Sequence, residues 1–162
     1  MTALVLPQGS PHDFDFLIGH WNVHNRRLTH RLSGANHWKI FSATHWLEQR
    51  LGGIANIDQM DCPSEGFSGV SVRCFDLNQR RWAIYWINSR DGVMSPPVLG
   101  GFNGDIGLFY GRDSDDGRSV HVRFTWTRLG RDAARWEQAF SLDGREWETN
   151  WVMDFNREGA SA

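Results

Sequence analysis

The chain has one lysine, Lys39, among its 17 basic residues, and two cysteines, Cys62 and Cys74. Each shortage removes a class of protein. Two cysteines whose spacing matches no zinc pattern make no disulfide framework, so both are expected as reduced thiols. No segment approaches the ~18 consecutive apolar residues of a membrane-spanning helix. The net charge of -2 and a pI of 6.4 remove the electrostatic case for a phosphate-backbone partner, since nucleic-acid binders carry a basic patch and a pI above about 9. Neither nucleic acid nor membrane is expected as a partner. The opening "MTALVLPQGSP" lacks the basic and apolar regions of a signal peptide, so a cytoplasmic location is expected. No nucleophile elbow, phosphate-binding glycine loop, HExxH or paired-cysteine motif is present. Catalytic residues therefore stay unassigned, no cofactor or metal is called for, and whether the protein is an enzyme stays open.

What is abundant is aromatic: ten Phe and nine Trp in 162 residues. A chain of this length can bury roughly 70% of its unfolded surface and needs no covalent staple. Short segments of aromatic and β-branched residues recur between Gly, Asp and Asn, and they read as ten strands. These are 20–29, 37–43, 53–60, 67–76, 81–88, 97–102, 106–112, 118–128, 134–141 and 146–155. Helical periodicity is confined to a single turn at 12–18. The fold class that follows is all-β: an antiparallel up-and-down β-barrel of about ten strands with a short N-terminal helical turn, because a closed meander removes its edges. One domain over 1–162 is expected, with 1–11 and 158–162 flexible.

Turn signals at 76–80 ("DLNQR"), 103–105 ("NGD") and 142–145 ("LDGR") set the hairpins. A two-residue Asp143-Gly144 turn pairs Phe140 with Trp147, Gln138 with Thr149 and Trp136 with Trp151. A turn near Arg131 pairs Trp126 with Trp136 and Phe124 with Gln138. One face then carries Val122, Phe124, Trp126, Trp136, Phe140, Trp147, Trp151 and Met153. The other carries His121, Arg123, Arg135, Glu137, Glu148, Asn150 and Asp154. Alternation of this kind puts the Trp face inside the barrel and the charged face outside, where it also suits a homodimer contact.

"FLIGHW" at 16–21, with a short turn before Gly19-His20-Trp21 and an all-antiparallel meander after it, resembles the opening of lipocalin-type barrels, the calycin group. Ten strands and a cytoplasmic character are closer to the fatty-acid-binding and bacterial cytosolic barrels of that group than to its secreted members. The resemblance implies that Trp21 plugs the closed end and that an arginine from a late strand packs across it, Arg157 first and Arg135 second. It also implies that His20 and His24 lie on a strand, ~13 Å apart, too far to share one ion.

The inward face holds Gln138 beside Thr149, and buried polar side chains need partners, either each other or a ligand. In the 67–88 hairpin, pairing Asp76 with Arg81 puts Arg73 on one face with Trp82 and Trp86. That arginine is then either stacked on exposed indoles outside or a lumenal guanidinium able to hold a carboxylate. His24, His45 and His121 are open candidates for acid–base or haem-ligating roles, with His45 near a bend at "THWLEQRLGG". The expected function is binding of a small, largely apolar, aromatic or carboxylate-bearing molecule in a Trp-lined lumen by Arg73, Trp86, Phe124, Trp126, Trp136, Gln138, Thr149 and Trp151. Alternatives are a lumenal acid–base enzyme of isomerase or lyase type, a haem barrel, or a filled barrel whose charged face meets a partner.

Overall fold

The structure, a computed structural model, describes residues 3–160. Ten antiparallel strands close into one barrel in sequence order. They are β1 (Gly19–Leu28), β2 (Trp38–Arg50), β3 (Ala55–Cys62), β4 (Phe67–Asp76), β5 (Arg81–Asn88), β6 (Val98–Asn103), β7 (Ile106–Asp115), β8 (Arg118–Gly130), β9 (Ala133–Ser141) and β10 (Glu148–Arg157). Each pairs with its sequence neighbour, and β10 returns to β1, with Trp21 opposite Arg157. Among the described residues, helix is limited to three 3-10 turns, at Asp15–Leu17, Leu51–Gly53 and Pro63–Glu65. Among the described residues, no helix is long and apolar enough to cross a membrane.

The turn at Asp15–Leu17 drops into one end of the barrel and closes it. Trp21 is 1% exposed and its Nε1 donates to the Leu17 carbonyl at 2.9 Å. Arg157 arrives from β10, with its guanidinium carbon 4.2 Å from the Trp21 ring. It donates to the carbonyls of Ile18 at 2.7 Å and Phe16 at 2.8 Å. Arg135, the second choice for this place, instead binds Asp154 on the outer surface at 2.7 Å. Phe14 meets Trp82 and Phe102 edge-on beneath the plug, the geometry that ring quadrupoles favour. The approach segment lies across the same end. Gly9 N–H donates to Arg80 O, Trp82 Nε1 to Ser10 O, and the Asp13 carboxylate accepts from the Ser10 and Phe102 amides. A Cβ on Gly101 would meet the Gly9 backbone at 2.7 Å, so this crossing needs glycine. Of the terminal segments expected to be flexible, residues 1, 2, 161 and 162 lie outside the described residues.

Two differences from the sequence reading change which side chains face inward, beyond shifts of one to three residues at other strand ends. Strand β2 runs on to Arg50 without a bend, because the alternation Phe41, Ala43, His45, Leu47 continues inward across "THWLEQR". A histidine at one inward position hid that period. The second difference is at Asp143-Gly144, which does not form a two-residue hairpin. Asp143 Oδ1 accepts from the Arg145 and Glu146 amides and the Ser141 hydroxyl, and Gly144 N–H donates to Ser141 Oγ. This side-chain-bonded loop competes with the tight turn and delays β10 to Glu148. Phe140 therefore faces Glu148, and a bulge between Thr149 and Trp151 shifts the register so that Gln138 meets Trp151 and Trp136 meets Met153.

Three side chains change place in consequence. Trp147, expected inside, lies on the outer surface against Tyr110, with the Arg123 guanidinium 4.7 Å from its ring. Asn150, expected outside, is fully buried and accepts from Gln138 Nε2 at 2.9 Å. Thr149 is opposite Ala139 instead of Gln138. The pairings of Trp126 with Trp136 and Phe124 with Gln138 are as the sequence implied, as is Asp76 with Arg81.

Candidate functional site

Above the plug the interior is not filled. A cavity of about 100 Å³ lies between β2–β5 on one side and β8–β10 on the other, and its rim includes Ser95, Pro96 and Asp113 at the end away from the plug. An engineered apolar cavity of about 150 Å³ takes a benzene, so a cavity of this size limits a ligand to no more than one small ring. Arg73, Trp86, Phe124, Trp126, Trp136, Gln138 and Trp151 all line it. Thr149 does not, because the β10 bulge puts Asn150 beside Gln138 in its stead. The indole of Trp86 lies where a Cβ on Gly69 would stand, so glycine on β4 makes room for that wall.

The polar part of the wall is a buried cluster on three adjacent strands. His45 on β2, Asp58 on β3 and Arg73 on β4 are 5%, 3% and 3% exposed. Two donors reach one oxygen: Asp58 Oδ2 is 3.0 Å from His45 Nε2 and 2.7 Å from an Arg73 terminal nitrogen. Asp58 Oδ1 accepts from the Ser71 amide at 2.8 Å, and the other Arg73 terminal nitrogen donates to Asn56 Oδ1 at 3.0 Å. Burial alone would push the Asp58 carboxyl up, but Arg73 and His45 outweigh it and hold it well below the usual carboxylate range. The group is therefore ionised, which makes His45 Nε2 the proton-bearing nitrogen, donating to Asp58. In the neutral ring Nδ1 is then a bare acceptor. It is buried and has no partner among the described residues, nor do Arg73 Nε and Trp126 Nε1.

Arg73 is thus lumenal, but two of its nitrogens are already engaged within the protein. The 67–88 register legible in the sequence placed it inward. Asp58 and Asn56 went unrecognised because β3 sends its polar residues inward and Ile57 to the other face, the reverse of ordinary alternation. One signal points to them. Carrying the register from β4 back across the turn at 63–66, with Cys62 opposite Phe67, brings Ser71 to Asp58 and Arg73 to Asn56.

The other histidines lie elsewhere. His20 and His24 are exposed on the outer face of β1. His121 lies outside against Arg112, and desolvation together with that guanidinium lowers its pKa. Towards the open end, Arg27 of β1 lies 4.3 Å from the Trp151 ring. Burial, with Arg31 and Arg90 nearby, brings its pKa down to about 10. The cysteines are both free, and burial with Asp61 and Glu65 nearby pushes Cys62 up to about 11, which suppresses thiolate chemistry. Among the described residues, no group of three or more His, Cys, Asp or Glu side chains is placed to hold a metal. No family model and no curated protein matches this chain, so the functional reading rests on the site itself.

Proposed function

We propose that this is a lipocalin-like, cytoplasmic barrel that binds a small, largely apolar, aromatic or acid-bearing molecule in its lumen. The observation that carries the reading is a small cavity walled by Trp86, Trp126, Trp136 and Trp151 in which the buried polar atoms of His45, Arg73 and Trp126 are left without partners. Ligand sites have this composition, mostly apolar with a few polar groups that fix orientation. A packed core would instead satisfy such groups, since an unpaired buried donor or acceptor costs ~1–3 kcal/mol. The resemblance carried by Gly19-x-Trp21 is supported by the Arg157 stack across Trp21 and by ten-strand closure. A bacterial cytosolic member of the calycin group is the kind of protein it supports. A cytoplasmic setting is supported by two unlinked thiols.

A titration of intrinsic tryptophan fluorescence with apolar dyes and small aromatic acids tests this. Saturable quenching is expected, with dissociation constants in the micromolar range (about -8 kcal/mol at 1 μM). Absence of saturation across the panel removes the reading. A second reading, a lumenal acid–base enzyme, is favoured by the carboxylate-oriented imidazole of His45, an arrangement that general bases share. Conversion of a bound ligand on incubation separates it from simple binding. The haem reading loses ground on size, because a macrocycle calls for a pocket of several hundred Å³.

A further inference from the structure

The cluster at the cavity wall has a charge balance that selects its ligand. Asp58 carries one negative charge and Arg73 one positive, so with neutral His45 the trio sums to zero. Arg73 and the His45 N–H already share Asp58 Oδ2. An incoming carboxylate would add an uncompensated buried charge, which is expensive in a low-dielectric interior. Protonating His45 on Nδ1 changes the sum to +1 and turns the bare acceptor into a donor. The charged groups facing His45 are Asp58 from β3 and Arg73 from β4, while its neighbours Trp21 on β1 and Phe155 on β10 carry no charge; Arg112 and Asp113 on β7 line the same cavity as an opposite-charge pair that sums to zero.

We propose that the cavity takes a small aromatic acid together with one proton, which His45 Nδ1 receives, so that the ligand's acidic oxygen lies against an imidazolium backed by Asp58. The inference rests on the cavity-binding reading and names its ligand class, a carboxylic acid or an acidic phenol. The balance is simple. A neutral acid transfers its O–H proton to Nδ1, or an anion enters while one proton comes from solvent, and no other bond forms or breaks. Arg73 is a positioning residue that keeps Asp58 ionised.

The test is calorimetric titration of the wild-type protein with sodium benzoate between pH 6 and 9, in two buffers of different ionisation enthalpy, with benzyl alcohol as the uncharged control. Benzoate is expected to bind with an uptake approaching one proton per ligand at the alkaline end. Its dissociation constant should rise there by about tenfold per pH unit. Benzyl alcohol, which donates its O–H to Nδ1 but cannot ionise, should bind with no proton uptake. His45→Gln should flatten the benzoate pH profile; if that variant does not fold, the wild-type proton count carries the test. Benzoate binding with no proton uptake and a flat profile overturns the proposal and spares the cavity. Benzoate excluded at every pH, while the alcohol or an apolar dye enters, does the same. Exclusion of all three removes the cavity reading as well.

Discussion

At the closed end of the barrel the indole N–H of Trp21 donates to Leu17 and that of Trp82 to Ser10, while Arg157 spends its guanidinium on the Phe16 and Ile18 carbonyls. Along the cavity wall the indole N–H of Trp126 is unpartnered, as are Nδ1 of His45 and Nε of Arg73. The indoles compared are buried alike, Trp21 and Trp82 at 1% and 0% and Trp126 at 3%. The closed end is an interior in which each of those hydrogen-bonding groups has been given a partner by the chain. The wall is one in which some partners are missing, and a missing partner beside a cavity marks where a ligand completes the bonding. For the indoles of the two regions hydrogen-bond satisfaction draws a line that composition does not, while Arg128 Nε, over the Phe16 and Phe102 rings of the closed end, is also without a partner.

The sharpest way to break this comparison is Trp21→Ala. Losing a fully buried indole and its bond to Leu17 should cost ~3–5 kcal/mol, read as a lowered denaturation midpoint at unchanged slope. A loss under ~1 kcal/mol would mean that the plug is not what holds the barrel shut. Next comes Asp58→Asn, which strands Arg73 as an unbalanced buried charge and should cost about 3 kcal/mol. It also carries a pH signature. The folded-state pKa of Asp58 lies below its unfolded value, so its contribution is complete above the ordinary carboxylate pKa of ~3.9 and is lost as pH falls through that value towards the folded one. The variant should therefore lose less stability than the wild type between neutral pH and pH ~3; parallel curves would refute the assignment.

A smaller difference separates two indoles. Trp82→Phe forfeits a hydrogen bond and leaves the Ser10 carbonyl bare, so it should cost more than Trp126→Phe by ~1 kcal/mol, the latter removing a donor that has no partner. Equal costs would erase the contrast on which the site assignment stands. The smallest effect is expected from Arg27→Met. A cation whose pKa falls on folding destabilises the native state wherever it is protonated, and that penalty fades as pH rises through about 10. At neutral pH the substitution should raise Tm by about 2–4 °C, the shift that ~1 kcal/mol gives in a domain of this size. A lower Tm would mean that the stack on Trp151 outweighs desolvation.

The strands were legible because their ends are written in turn chemistry and their faces in alternation. Asp76 with Arg81 and Trp126 with Trp136 follow from counting outward from a turn. The same counting failed at Asp143, whose side chain captures two amides and a hydroxyl and so builds a longer loop than Asp-Gly usually does. That one loop misplaced Trp147, Thr149 and Asn150 together, since phase errors propagate along a strand. Much of the apolar side of the cavity was readable for the converse reason: Trp126 and Trp136 are on the β8–β9 hairpin and Trp86 on the β4–β5 hairpin, whose registers were right. Asp58 was hidden by a different cause. Its inward position is justified by His45, Ser71 and Arg73, neighbours brought from 13 to 15 residues away, and no local pattern records such a debt.

Nine of the barrel's ten pairings join strands adjacent in sequence, and the tenth joins β1 to β10. Hairpins close small loops, whereas this seam must bring together Trp21 and Arg157 from opposite ends of the chain, at the greater entropic cost of a long loop. The seam is therefore the pairing with the longest loop to close, although once made it is longer than β5–β6, which is held by three residue pairs. Arg157, reaching across it to the carbonyls of the plug, acts as a clasp. A chain that ended before β10 would present two raw edges, on β1 and β9, each a template for a strand from another copy. The strand that carries Arg157 thus also covers the two edges to which another copy could add a strand.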